Sequence, residues 1–109
     1  MKDIIYVTEE TYESEVISSE VPVLVDFYAD WCGPCQMVGP ILETLAAKYE
    51  DKAKIVKINI DEQRKLAIAN KVMSIPTMLF IKDGEIKERF SGALPQSVLE
   101  EKLGALISG

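Results

Sequence analysis

No histidine occurs anywhere in the 109 residues, and cysteine appears only twice. A closed structural zinc site needs about four Cys or His ligands, so the chain cannot build one alone; only a site shared between two chains stays open. Secreted disulfide scaffolds of this size usually carry several cysteines joining distant segments, and that class is excluded as well. Basic runs are equally scarce, the longest being the pair Arg64-Lys65, and the formal net charge is −6. Nucleic-acid backbones and anionic membrane surfaces are polyanions, so neither is expected as a partner. No stretch approaches the ~20 apolar residues of a membrane span. The segment Met1 to Tyr6 holds no apolar run of signal-peptide length, and a soluble cytoplasmic protein is the expectation. Repeats, linkers and low-complexity tracts are missing. So is the glycine-rich strand-to-helix turn of a dinucleotide site, and no cofactor is expected.

What is present is concentrated. With 48% hydrophobic residues, the length fits one domain, residues 1–109, around one core. Both cysteines and the single tryptophan fall in Trp31-Cys32-Gly33-Pro34-Cys35. Cysteines at this spacing can close an internal disulfide if the backbone turns like a helix, which brings their Cα atoms to the required ~5.5 Å. Pro34 has its φ fixed near the helical value and lacks an N–H, which suits a first helical turn. Cys32 is therefore expected at the cap and Cys35 in the first turn. Such a small loop restricts the unfolded chain little, so a redox role explains the pair better than a staple does.

The remaining elements follow from periodicity. Ile4 to Val7 reads as a strand. Thr8, followed by Glu9 and Glu10, caps a helix through about Ser18, with Tyr12, Val16 and Ile17 inward. Val23 to Tyr28 is a nearly continuous apolar run, the mark of a strand buried on both faces. Asp26 interrupts it, and desolvation should raise the pKa of its carboxyl. Met37, Val38, Ile41, Leu42, Leu45 and Tyr49 predict a helix from about Pro34 to Tyr49, kinked near Gly39-Pro40. Lys54 to Ile60 is a β-branched strand. Asp61 caps a helix through about Asn70, with Leu66 and Ala69 inward. Thr77 to Lys82 and Glu85 to Phe90 pair across the turn Asp83-Gly84. From Pro95, Val98, Leu99, Leu103, Leu106 and Ile107 mark a closing helix. The order β-α-β-α-β-α-β-β-α implies an α/β fold: a mixed sheet, parallel in its first part, with helices on both faces.

Phe27-Tyr28-Ala29-Asp30-Trp31-Cys32-Gly33-Pro34-Cys35, with Ser74-Ile75-Pro76-Thr77 and Gly92-Ala93, closely resembles the thioredoxin family, in order and spacing along essentially the whole chain. The resemblance implies the thioredoxin fold, with about five strands and about four helices, and a protein-disulfide reductase. Cys32 would attack the substrate disulfide and Cys35, the more buried of the two, would resolve the mixed disulfide. The physics of a helix N-terminus agrees, because unpaired N–H groups and the positive dipole end lower the pKa of a cysteine there. The matching position to Asp26 helps move the proton of the resolving cysteine, with Lys57 beside it; a purely structural Asp–Lys pair is the other reading. Pro76 would be cis, and the backbone of Ile75 would pair with substrate. Trp31, Gly33, Pro34, Ile75, Pro76, Gly92 and Ala93 would form an apolar docking patch around Cys32. The implied partners are diverse disulfide-containing proteins and a flavoprotein thioredoxin reductase using NADPH, with the chain itself a monomer. A binding module with dispensable cysteines is an alternative, and so is an oxidase or isomerase, although Gly33-Pro34 resembles the reducing branch. The chain departs from common family residues at Tyr28 (Trp), Gln36 (Lys or Arg) and Gly39 (Ala). Gln36 removes a positive charge near the thiols and should raise the pKa of Cys32 slightly.

Overall fold

Residues 4–109 are described by the structure, a computed structural model; Met1, Lys2 and Asp3 lie outside the described residues. Five strands form one sheet: β1 (Ile5–Tyr6), β2 (Val23–Tyr28), β3 (Lys54–Asn59), β4 (Thr77–Lys82) and β5 (Glu85–Ser91). Three α-helices join them: α1 (Gly33–Lys48), α2 (Arg64–Ala69) and α3 (Gln96–Ser108). The spatial order is β1-β3-β2-β4-β5. β3 runs parallel to β1 and β2, whereas β4 is antiparallel to both β2 and β5.

β2 lies at the centre because its sequence can be buried on both faces. Val23, Val25 and Phe27 join Val16, Val56, Ile58, Leu66, Leu79 and Ile81 on the side covered by α2. Leu24 turns the other way, into a cluster with Val38, Leu42 and Leu45 of α1, Met78 and Phe80 of β4, and Leu99 and Leu103 of α3. Strand alternation then puts Asp26 on the α1 side with Leu24, and Lys57 on that side with Ile55. Asp26 and Lys57 are also direct cross-strand partners. The β4–β5 turn has φ of 55° at Asp83 and 78° at Gly84, the paired positive values of a type I′ hairpin turn. Charged side chains keep the exposed edge strand β5 from pairing further.

The structure departs from the sequence pattern at three places: the first expected helix, the Asp61 cap and Ala69. No α-helix spans Thr8 to Ser18; a short π-helical turn, Glu13–Ile17, stands there. The Thr8 N–H donates to Thr11 Oγ1 (2.9 Å), and the Ser18 N–H reaches back five residues to the Glu13 carbonyl (2.8 Å). The Tyr12 N–H donates to the Thr8 carbonyl (3.0 Å) and the Glu15 N–H to the Thr11 carbonyl (2.8 Å), so the segment opens on helical bonds and widens to the five-residue spacing at Ser18. Val16 is nevertheless buried, and Tyr12 and Ile17 pack beside it. Asp61 does not cap α2. Asn59 Oδ1 accepts from the Asp61 and Glu62 N–H groups (2.8 and 3.2 Å), forming a turn that delays the helix to Arg64. In that short helix only Leu66 is buried, and Ala69 is exposed. Met37 is 73% exposed, because the buried stripe of α1 runs through Cys35, Val38, Leu42 and Leu45. α1 continues through Pro40, whose carbonyl accepts from Thr44 Oγ1 at 3.2 Å.

Candidate functional site

The parallel strands β2 and β3 end at the same edge of the sheet as the N-terminus of α1, the crevice where α/β proteins place ligands. Cys32 caps α1 with an extended backbone (φ −86°, ψ 113°), and Pro34 sits in the first turn. The Cys35 N–H donates to Cys32 Sγ at 3.2 Å, and the Gln36 N–H to the Cys32 carbonyl at 3.3 Å. Cys32 and Cys35 form a disulfide with their Cα atoms 5.3 Å apart, at the separation that the helical spacing predicts. The two residues are almost equally buried, at 5% and 3% exposure, so the expected difference between them is slight in the disulfide form.

One further loop reaches the disulfide, and a second is tied to it. The Ile75–Pro76 bond is cis. The Ile75 carbonyl lies 3.9 Å from Cys32 Sγ. The Gly92 N–H donates to the Pro76 carbonyl at 2.7 Å, tying the loop after β5 to the loop before β4. Gly92 has a φ of 95°, a conformation that side chains resist. Ala29, Cys32 and Cys35 form a small apolar cluster against Tyr28, Ile60 and Ile75. Of the residues expected in a docking patch, Gly33, Pro34 and Ala93 are exposed, Ile75 and Gly92 half-buried, and Pro76 buried. Trp31 is 70% exposed, and its indole N–H donates to Asp61 Oδ2 at 2.9 Å. Asp61, read from the sequence as a helix cap, instead orients this tryptophan. An acidic residue two positions past the end of β3 was the only signal for it.

Across the β2–β3 ladder from Lys57 lies a costly buried group. Asp26 is fully buried, and neither carboxylate oxygen has a hydrogen-bond partner. Burial pushes its pKa up to about 7, against a smaller opposite pull from Lys57. The Lys57 ammonium does not bond the carboxylate; it lies 4.3 Å over the centre of the Tyr28 ring. A groove of about 170 Å³, lined by Tyr28, Ala29, Asp30, Cys35, Gln36, Gly39 and Lys57, opens beside Cys35. The Gln36 amide closes one wall by donating to the Asp30 carbonyl at 3.0 Å. Among the described residues no group of three or more His, Cys, Asp or Glu is placed to hold a metal ion, and no helix is long and apolar enough to cross a membrane.

The family model for thioredoxin matches residues 3–105. The chain belongs to the thioredoxin family. A thioredoxin from Porphyra purpurea is 45% identical over 102 residues, 94% of this chain and 95% of that protein. One from Chlorobaculum thiosulfatiphilum is 46% identical over 96 residues, covering 88% and 89%. One from Haemophilus influenzae is 41% identical over 99 residues, covering 91% and 92%. The five-stranded mixed sheet is the thioredoxin fold. Family membership and the Cys32–Cys35 disulfide together make the protein a thiol–disulfide oxidoreductase of thioredoxin type, with protein disulfides as substrates and a reductase as partner.

Proposed function

We propose that the protein reduces protein disulfides in two exchange steps, with Cys32 as nucleophile and Cys35 as resolving thiol. The observation that carries this assignment is the Cys35 N–H aimed at Cys32 Sγ at the start of α1. After reduction that donor and the helix dipole favour the thiolate at Cys32, and the thiolate is the attacking species. Its sulfur bonds to one substrate sulfur while the other substrate sulfur leaves as a thiolate. Cys35 then attacks Cys32 Sγ, re-forming the internal disulfide and releasing the second substrate thiol. Two electrons pass to the substrate.

Asp26 is the proton acceptor for Cys35, with Lys57 beside it. A carboxyl with a pKa of about 7 holds and releases a proton near neutral pH. The groove by Cys35 offers water a path to this region. Substrate docks on Trp31, Gly33, Pro34, Ile75, Pro76, Gly92 and Ala93. Its backbone pairs at Ile75, and Pro76 has no N–H to compete with it. The electron donor is an NADPH-dependent flavoprotein thioredoxin reductase, and the protein works as a cytoplasmic monomer. Reduction of insulin disulfides with a thiol donor tests the reading: the native chain turns insulin over and Cys32→Ser does not. Full turnover by Cys32→Ser would overturn it.

A further inference from the structure

The Lys57 ammonium stands between two attractors. Across the β2–β3 ladder its partner is Asp26, whose carboxylate oxygens are buried and lack any hydrogen bond. Two residues along β2, on the same face as Asp26, is Tyr28, and the ammonium sits 4.3 Å from the centre of its ring. Tyr6 of β1 packs edge-on against Tyr28, with centroids 6.4 Å apart and planes at 71°, which fixes the ring in place. A carboxylate with no partner in a low-dielectric site attracts an ammonium strongly. The ammonium lies instead over an aromatic face, a partner that competes with the carboxylate for it.

We infer that Tyr28 is a positioning residue: its ring seats the Lys57 ammonium in the groove beside Cys35 and so withholds it from an ion pair with Asp26. The inference deepens the reading of Asp26 and Lys57 as the proton-handling pair, and rests on it. A direct ion pair would lock Asp26 in its ionised form. With the ammonium held over the ring, the carboxyl stays able to take and return a proton. The neighbouring groups do not supply this control. Asp30 and Glu62 act on the Tyr28 phenol, as do Tyr6 and a hydrogen bond from Asn59. Gln36 is committed to the Asp30 carbonyl, and Cys35 is in the disulfide. Among the described residues, Lys57 is the charge that acts on Asp26.

The test is the titration of Asp26, followed by carbon NMR at its carboxyl in the disulfide form, where no thiol titrates nearby. Tyr28→Leu should move the midpoint from about 7 toward the ordinary carboxylate value of ~4. Tyr28→Phe keeps the aromatic face and should titrate like the native protein. In a Lys57→Met background, Tyr28→Leu should lose its effect, because the lysine that carries it is gone. An unchanged midpoint in Tyr28→Leu would overturn the inference. So would a Tyr28→Phe midpoint as low as that of Tyr28→Leu, or a drop that survives Lys57→Met, which would assign the effect to water entry. Insulin turnover by Asp26→Asn reports separately on the proton-transfer reading: native turnover there, with the Tyr28 titrations as expected, supports the positioning role while removing its catalytic purpose.

Discussion

Asp26→Asn should stabilise the protein, and by an amount that grows with pH. Unfolded, the Asp26 carboxyl titrates near its ordinary value of 3.8; folded, burial holds it up to about 7. The folded chain therefore binds this proton more tightly than the unfolded chain. Stability from this group is greatest below the unfolded value, falls as pH rises through the window between the two, and is flat above the folded value. At 1.36 kcal/mol per pH unit, the full interval opposes folding by about 4 kcal/mol at alkaline pH. Asparagine does not titrate. Its amide is as unpartnered as the carboxylate, which subtracts about 1–3 kcal/mol independently of pH. The difference between the two proteins is therefore the quantity to follow. Urea unfolding of the disulfide form should show the advantage of Asp26→Asn growing by roughly 2–3 kcal/mol between pH 5 and pH 8. A difference that stays flat or shrinks over that range would refute the argument from desolvation. The same variant should reduce insulin more slowly, because Cys35 loses its proton acceptor.

If the exposed indole docks the substrate chain as proposed, Trp31→Ala should impair reduction of protein disulfides more than of small disulfides; equal impairment of both would count against docking. Leu42→Ala removes a fully buried side chain from between α1 and the sheet, and urea unfolding should show a loss of about 2–5 kcal/mol. A loss below ~1 kcal/mol would contradict the packing described for that face. Gly84→Ala puts a side chain at a φ of 78° with its Cβ 3.1 Å from the Ile17 carbonyl oxygen. The hairpin should lose about 1–3 kcal/mol in the same assay, and an unaffected midpoint would show that the turn relaxes freely.

The strands were the most legible part of the fold in the sequence. Continuous apolar runs at Val23 to Tyr28 and Thr77 to Lys82 allow burial on both faces, and Asp83-Gly84 specifies its turn through backbone sterics alone. Helices were legible where a long apolar stripe existed, as in α1 and α3, and less so in shorter segments. The first expected helix narrows to the π-helical turn Glu13–Ile17, and Asn59 shapes the turn after β3 while Asp61 turns its carboxylate to the Trp31 indole. In the site, the CxxC pair and the buried Asp26 stood out by residue type. The bond from Trp31 to Asp61 and the seat of Lys57 on Tyr28 did not, because both depend on how β2, β3 and the loops after them lie side by side.

The central claim is that the two cysteines are unequal, and trapping the intermediate tests it most directly. Reduced Cys35→Ser and reduced Cys32→Ser are each mixed with insulin without a thiol donor, and the products are weighed by mass spectrometry under non-reducing conditions. Cys35→Ser should carry one insulin chain in a disulfide at Cys32, since attack proceeds and resolution cannot. Cys32→Ser should carry none. An adduct on Cys35 of the Cys32→Ser protein, with Cys35→Ser left free, would reverse the roles and contradict the account.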